Sequence, residues 1–87
     1  MKWDRIRVFF TNENGGTQRV STFRREQPRP TRLGNINCLS FTDDKTGDLH
    51  FVQKELIKKV TFEKQDLHFG TFEIVETKLA SDLGEQA

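Results

Sequence analysis

The sequence predicts a mainly β fold: a small antiparallel barrel or strongly bent sheet of five to six strands, with room for one short helix. Three observations predict it. Apolar and polar residues alternate over short stretches, the period-two pattern of a half-buried strand. Tight-turn clusters such as Asn14-Gly15-Gly16 and Asp43-Asp44-Lys45-Thr46-Gly47-Asp48 separate those stretches. Eight phenylalanines are spread along a chain that is only 33% hydrophobic, whereas disordered segments are poor in aromatics.

Taken in order, residues 3–11 place Ile6, Val8 and Phe10 on one face and Trp3, Arg5, Arg7 and Phe9 on the other. Asn14-Gly15 or Gly15-Gly16 supplies the positive φ of a tight hairpin, and residues 17–25 return as the second strand. That pairing puts Phe23 on the Ile6/Val8/Phe10 face and Arg24 beside Arg5 and Arg7. Gln27 to Arg32, with Pro28 and Pro30, reads as an exposed connection of polyproline II character.

Residues 35–42 are apolar on both faces, Ile36 and Cys38 on one, Leu39 and Phe41 on the other, which suits a strand covered on both sides. After the 43–48 turn, residues 49–53 complete a second hairpin, with His50 out of phase with Leu49 and Phe51 and so at the rim. Lys54 to Leu56 forms a single helical turn. Residues 57–64 are a fifth strand carrying Val60 and Phe62, and residues 67–76 a sixth with Gly70 as a bulge or bend. One β-rich domain therefore spans 1–76, and 77–87 is a frayed or short helical tail. In outline the arrangement resembles the SH3-like and OB architectures, a likeness of shape that assigns no function.

The formal charge is +1, yet it is unevenly placed. All seven arginines fall between Arg5 and Arg32. Residues 1–33 carry eight basic and three acidic side chains, a net of +5, and residues 34–87 carry six and ten, a net of −4. Guanidinium groups fork onto phosphate and carboxylate and stack on rings. Trp3, Arg5, Arg7 and Phe9 on one face, joined by Arg24, Arg25, Arg29 and Arg32, make a candidate surface for nucleic acid or for an acidic protein. Rings would stack on bases while guanidiniums neutralise phosphates. Two alternatives stand beside it. Basic and acidic parts of different copies can meet, giving a self-assembling or regulatory protein-interaction domain. Within one copy, the arginines can pair with Glu63, Glu73 or Glu76.

Other chemistry is thinly represented. Cys38 is the only cysteine, so an intrachain disulfide and a multi-cysteine zinc site are excluded. It reads as a small core residue, and the chain as cytoplasmic. The segment from Asp43 has Lys45 third and Asp48 sixth, against the ligand and glycine that a calcium loop needs there. Cys38, His50 and His68 lack metal-ligand spacing. No apolar run approaches the roughly 20 residues that span a bilayer. The expectation is a binding module rather than an enzyme, with neither cofactor nor metal.

Overall fold

Strand β1 (Arg5–Thr11) sets the architecture, because Ile6, Val8 and Phe10 all point inward and are buried. In the computed structural model, which describes residues 2–83, β1 lies between β2 (Thr17–Ser21) and β6 (Ile57–Gln65). Strand β7 (Phe72–Lys78) pairs with the far side of β6, giving a four-stranded sheet in the order β2-β1-β6-β7. Strands β3 (Arg29–Leu33), β4 (Ile36–Thr42) and β5 (Leu49–Gln53) form a second, three-stranded sheet. Every pairing is antiparallel. The fold is mainly β as expected, with seven strands grouped in two sheets, and no ring of paired strands closes them among the described residues.

The inner faces of the two sheets share one core. Ile6, Val8, Phe10, Val20, Ile57, Val60 and Phe62 come from the larger sheet, and Leu39, Phe41 and Val52 from the smaller. The rings of Phe10 and Phe41 meet across it at 5.9 Å between centroids. Burying a side chain of this size stabilises by about 1.5–3 kcal/mol, so these ten residues dominate the stability. At one corner an isolated bridge between Thr22 and Asp43 joins the sheets, and Asp44 N–H donates to the Ser21 carbonyl at 2.9 Å.

The first hairpin closes differently from the expectation. Its loop is five residues long, with Asn12 Oδ1 accepting from the Asn14 and Gly16 N–H groups at 3.0 Å, and Gly15 at φ +82°. The resulting register pairs Val8 with Val20 and Phe10 with Gln18. A shift of one residue swaps the faces of a strand. Val20 and Thr22 are therefore buried, while Phe23 leaves the sheet. Strand β2 ends at Ser21, and Phe23–Arg25 form a 3-10 turn in which Arg24 and Arg25 both have left-handed φ, +52° and +57°.

Three further expectations are corrected. The proline segment is not wholly a connection: residues 29–33 pair with β4, with Pro30 opposite Leu39, at a sheet edge where a missing N–H is tolerated. Strand β5 is turned over relative to its sequence reading. Val52 is in the core and His50 stacks on Phe41 at 5.4 Å, while Leu49 and Phe51 face outward. Strand β4 is covered only in part, since Leu39, Phe41 and Cys38 are buried and Ile36 is exposed.

Lys54–Leu56 is a 3-10 turn where one helical turn was expected. Residues 66–70 are not strand but the turn of the β6–β7 hairpin, and Gly70 lies in it at φ +70°. In the β6–β7 pair the irregularity falls instead between Phe62 and Glu63, and a second interrupts the β1–β6 pair between Phe9 and Phe10. Beyond residue 76, β7 continues to Lys78. A 3-10 turn over Ala80–Leu83 then packs Ala80 and Leu83 against the core. The part of the tail expectation that concerns residues 84–87 lies outside the described residues.

Candidate functional site

On the outer face of the four-stranded sheet, Arg5 stands opposite Glu63, and Arg7 opposite Thr61. Glu63 belongs to an outward-facing row, yet its side chain is 0% exposed because its partners cover it. Arg5 Nε donates to Glu63 Oε1 at 2.7 Å, Arg7 Nε to Oε2 at 2.7 Å, and Thr61 Oγ1 to Oε2 at 2.5 Å. Burial pushes the carboxyl upward, but the hydrogen bonds from Thr61, Arg7 and Arg5 outweigh it and hold Glu63 below the ordinary carboxylate value. Arg5 also lies over the Phe72 ring at 3.7 Å, and Arg7 over Phe9 at 5.3 Å. The Arg5 and Arg7 side chains are 29% and 17% exposed. They are committed to a partner within the same chain, the intramolecular alternative that the sequence allowed.

The other six residues of the candidate surface are dispersed. Trp3 precedes the first paired residue of β1, so the alternation does not reach it. It packs on core Phe62 at 5.5 Å, with Lys2 over its outer face at 5.0 Å. Phe9 stays on the outer face between Arg7 and Lys59. Arg24 and Arg25 sit on the 3-10 turn and share with Arg5 a shallow cleft of about 500 Å³, which Asp4 and Asp44 also line. Arg29 and Arg32 are exposed on β3, and the alternation of that strand sends them to opposite faces. The structure thus brings Arg5, Arg7 and Phe9 together and sets Arg24 and Arg25 in one cleft with Arg5, but it does not gather all eight residues.

The metal and nucleophile candidates do not converge. Among the described residues no group of three or more His, Cys, Asp or Glu side chains is placed to hold a metal ion. Asp43 to Asp48 forms a hairpin turn, with Lys45 N–H on Asp43 Oδ1 and Gly47 N–H on the Asp43 carbonyl, both at 2.8 Å. Cys38 is a buried interior residue, as the sequence reading expected. His50 Nε2 lies 3.9 Å from Asp43 Oδ2, beyond hydrogen-bond length. Among the described residues no helix is long and apolar enough to cross a membrane.

What the sequence reading missed is the tip of the β6–β7 hairpin. Leu67 and Phe69 are 96% and 81% exposed there, more than any other large apolar side chain among the described residues. Asp66 Oδ1 accepts from the His68 N–H at 2.7 Å and the Phe69 N–H at 3.1 Å. The Gly70 N–H returns to the Asp66 carbonyl at 2.8 Å. The two side chains are therefore held out by an ordered turn. The signal available in the sequence was Asp66 followed four residues later by Gly70, an Asx-type turn opener and a left-handed closer. At the other end of β6, an open cleft of about 490 Å³ lies beside the β1–β2 loop, lined by Phe10, Phe51, Val52 and Leu56 and by a larger set of polar residues that includes Asn12, Glu13, Gln18 and Gln53.

Compared with protein-family models, with curated proteins and with solved structures, the chain matches none at a significant level.

Proposed function

We propose that this chain is a non-catalytic protein-interaction module that associates with copies of itself. The observation that carries this reading is the presentation of Leu67 and Phe69 to water on a hydrogen-bonded turn. Neither side chain contributes to the core, so the exposure costs hydration free energy with no return inside the monomer. An ordered turn also lowers the entropy lost when such a tip docks. Further apolar side chains, Phe72, Ile74 and Val75, follow on the exposed edge strand β7, and unpaired edges of this kind favour association.

A nucleic-acid surface is the weaker proposal. It retains Arg24 and Arg25 beside Arg5, but Arg5 is held by Glu63, and Asp4 and Asp44 stand in the same cleft. Phosphate binding depends on cations that are free to displace counterions, and the carboxylates reduce that supply.

Sedimentation equilibrium from roughly 10 µM to 1 mM, the span of weak reversible contacts, tests the self-association. A weight-average mass that rises with concentration supports it, and a monomer across the whole span refutes it.

A further inference from the structure

Strand β7 carries a break in phase that decides how it can meet another strand. Residues directly opposite in an antiparallel pair share a face, so the pairing with β6 fixes where each β7 side chain points. Phe72, Ile74 and Thr77 stand opposite Gln65, Glu63 and Thr61 on the outer face. Glu73, Glu76 and Lys78 stand opposite Lys64, Phe62 and Val60 on the inner face. The register shift at Phe62/Glu63 leaves Val75 as the extra residue, doubled with Glu76 against Phe62. Alternation is thereby inverted across Val75 and Glu76. On its other side β7 has no neighbour in the sheet, and its residues from Phe72 to Thr77 are all exposed.

We propose that β7 of one copy pairs antiparallel with β7 of a second copy, about a two-fold axis that passes between Val75 and Glu76. The contact is isologous and joins the two larger sheets edge to edge. It rests on the self-association reading above and gives it a geometry. Among symmetric registers that pair most of the strand, only this one sets every residue opposite another on its own face. It matches Val75 with Glu76, Ile74 with Thr77, and Glu73 with Lys78. An axis on Val75 would set outer Ile74 against inner Glu76, and an axis on Glu76 would set inner Val75 against outer Thr77. A bulge commonly shields an edge from indiscriminate pairing; here it selects one register. The charges agree with that register, since Glu73 meets Lys78 on both sides of the axis, and opposite charges in facing positions stabilise a sheet. Neither residue makes an ion pair in its own copy among the described residues. Leu79, exposed just past the strand, comes up to the second copy's Phe72, and each Leu67–Phe69 tip projects beyond that point. Apolar surface on Phe72, Ile74, Val75 and Leu79 leaves water in both copies. The two Glu76 side chains stand diagonally across the axis, and their repulsion keeps the contact weak and reversible.

Charge reversal in the full chain tests the register. Glu73→Lys and Lys78→Glu each set like charges opposite one another in a homodimer, and a circular-dichroism melt checks that each variant folds. Sedimentation velocity should show dimerisation of either single variant weakened about tenfold, as two cross-strand ion pairs become repulsions. The double variant Glu73→Lys/Lys78→Glu should recover the wild-type dimer. An equimolar mixture of the two single variants should form a heterodimer of similar strength. Glu76→Gln relieves the repulsion at the axis and should tighten the dimer about threefold. That position is exposed and the change keeps its shape, so it decides the matter even if Lys78→Glu, which gives up the Phe62 ring, does not fold. Single variants that associate like the wild type, a double variant as weak as the singles, or a Glu76→Gln protein no tighter than the wild type would overturn the β7 pairing. Each of those results leaves the self-association reading standing. A wild type that is monomeric from roughly 10 µM to 1 mM overturns both.

Discussion

Glu63 and Arg7 are 56 residues apart in sequence, and their side chains meet at 2.7 Å on the outer face of the larger sheet. Arg5 closes on the other carboxylate oxygen, also at 2.7 Å. The row of guanidiniums that the sequence offers to an external anion is thereby anchored to an internal one.

Removing the anchor should destabilise the fold. A buried carboxylate with two guanidinium partners resists truncation, because the partners lose their counter-charge where water reaches them poorly. Arg5 and Arg7 keep some contact with water, so the loss for Glu63→Ala is expected at about 3 kcal/mol, the bottom of the range for broken buried pairs. Urea denaturation at neutral pH measures it. Arg7→Ala in the same background should cost little more, since the pair is already broken.

The same carboxylate sets a pH dependence. Its folded pKa lies below the ordinary value of 4.5, so the unfolded chain binds the proton more readily than the folded one. The stabilisation is present in full above pH 4.5 and is lost as pH falls through the folded pKa. Unfolding free energy measured from neutrality down into the acid range should decline below that point. The Glu63→Gln protein should show a shallower decline, and equal slopes would contradict the assignment.

Arg24 and Arg25 hold left-handed backbone angles that L-residues with a Cβ avoid. Glycine adopts them freely but gives up more chain entropy on folding. Arg24→Gly and Arg25→Gly are therefore each expected to be neutral to stabilising, by up to about 1 kcal/mol, in thermal melts. A loss of stability would mean that these side chains make a contact the fold depends on.

Oligonucleotides separate the two functional readings. With Arg5 and Arg7 engaged and Trp3 against the core, mixed single strands should show no salt-dependent binding by fluorescence anisotropy at roughly 50 mM salt, where counterion release favours binding most. Binding that weakens steeply with salt and is lost in Arg24→Ala/Arg25→Ala would restore the nucleic-acid surface.

The sequence disclosed the elements better than the way they face. Strand β1 was legible because Ile6, Val8 and Phe10 recur at every second position, and all seven of its residues alternate in burial. The β1–β2 hairpin was legible too, but its register was not. Asn12 draws two N–H groups into a five-residue loop, and that choice moves Val20 in and Phe23 out. Strand β5 was read inside out because Leu49 and Phe51 are more hydrophobic than His50 and Val52. His50 gains a stacking partner in Phe41, and only the β4 register reveals it. Pro30 hid β3, since edge positions are invisible until neighbours are known. The Arg5–Arg7–Glu63 cluster stood among the alternatives because the charges were countable. The tip was missed because Leu67 and Phe69 alternate like strand residues, although Asp66 and Gly70 bracket them as a turn.

The most direct measurement is an amide NMR dilution series on the full chain, between roughly 20 µM and 1 mM. Concentration-dependent shifts centred on Leu67, His68 and Phe69 are the result expected if the exposed tip carries the self-association. Spectra unchanged by concentration, or shifts confined to β7 or another sheet edge, would contradict it.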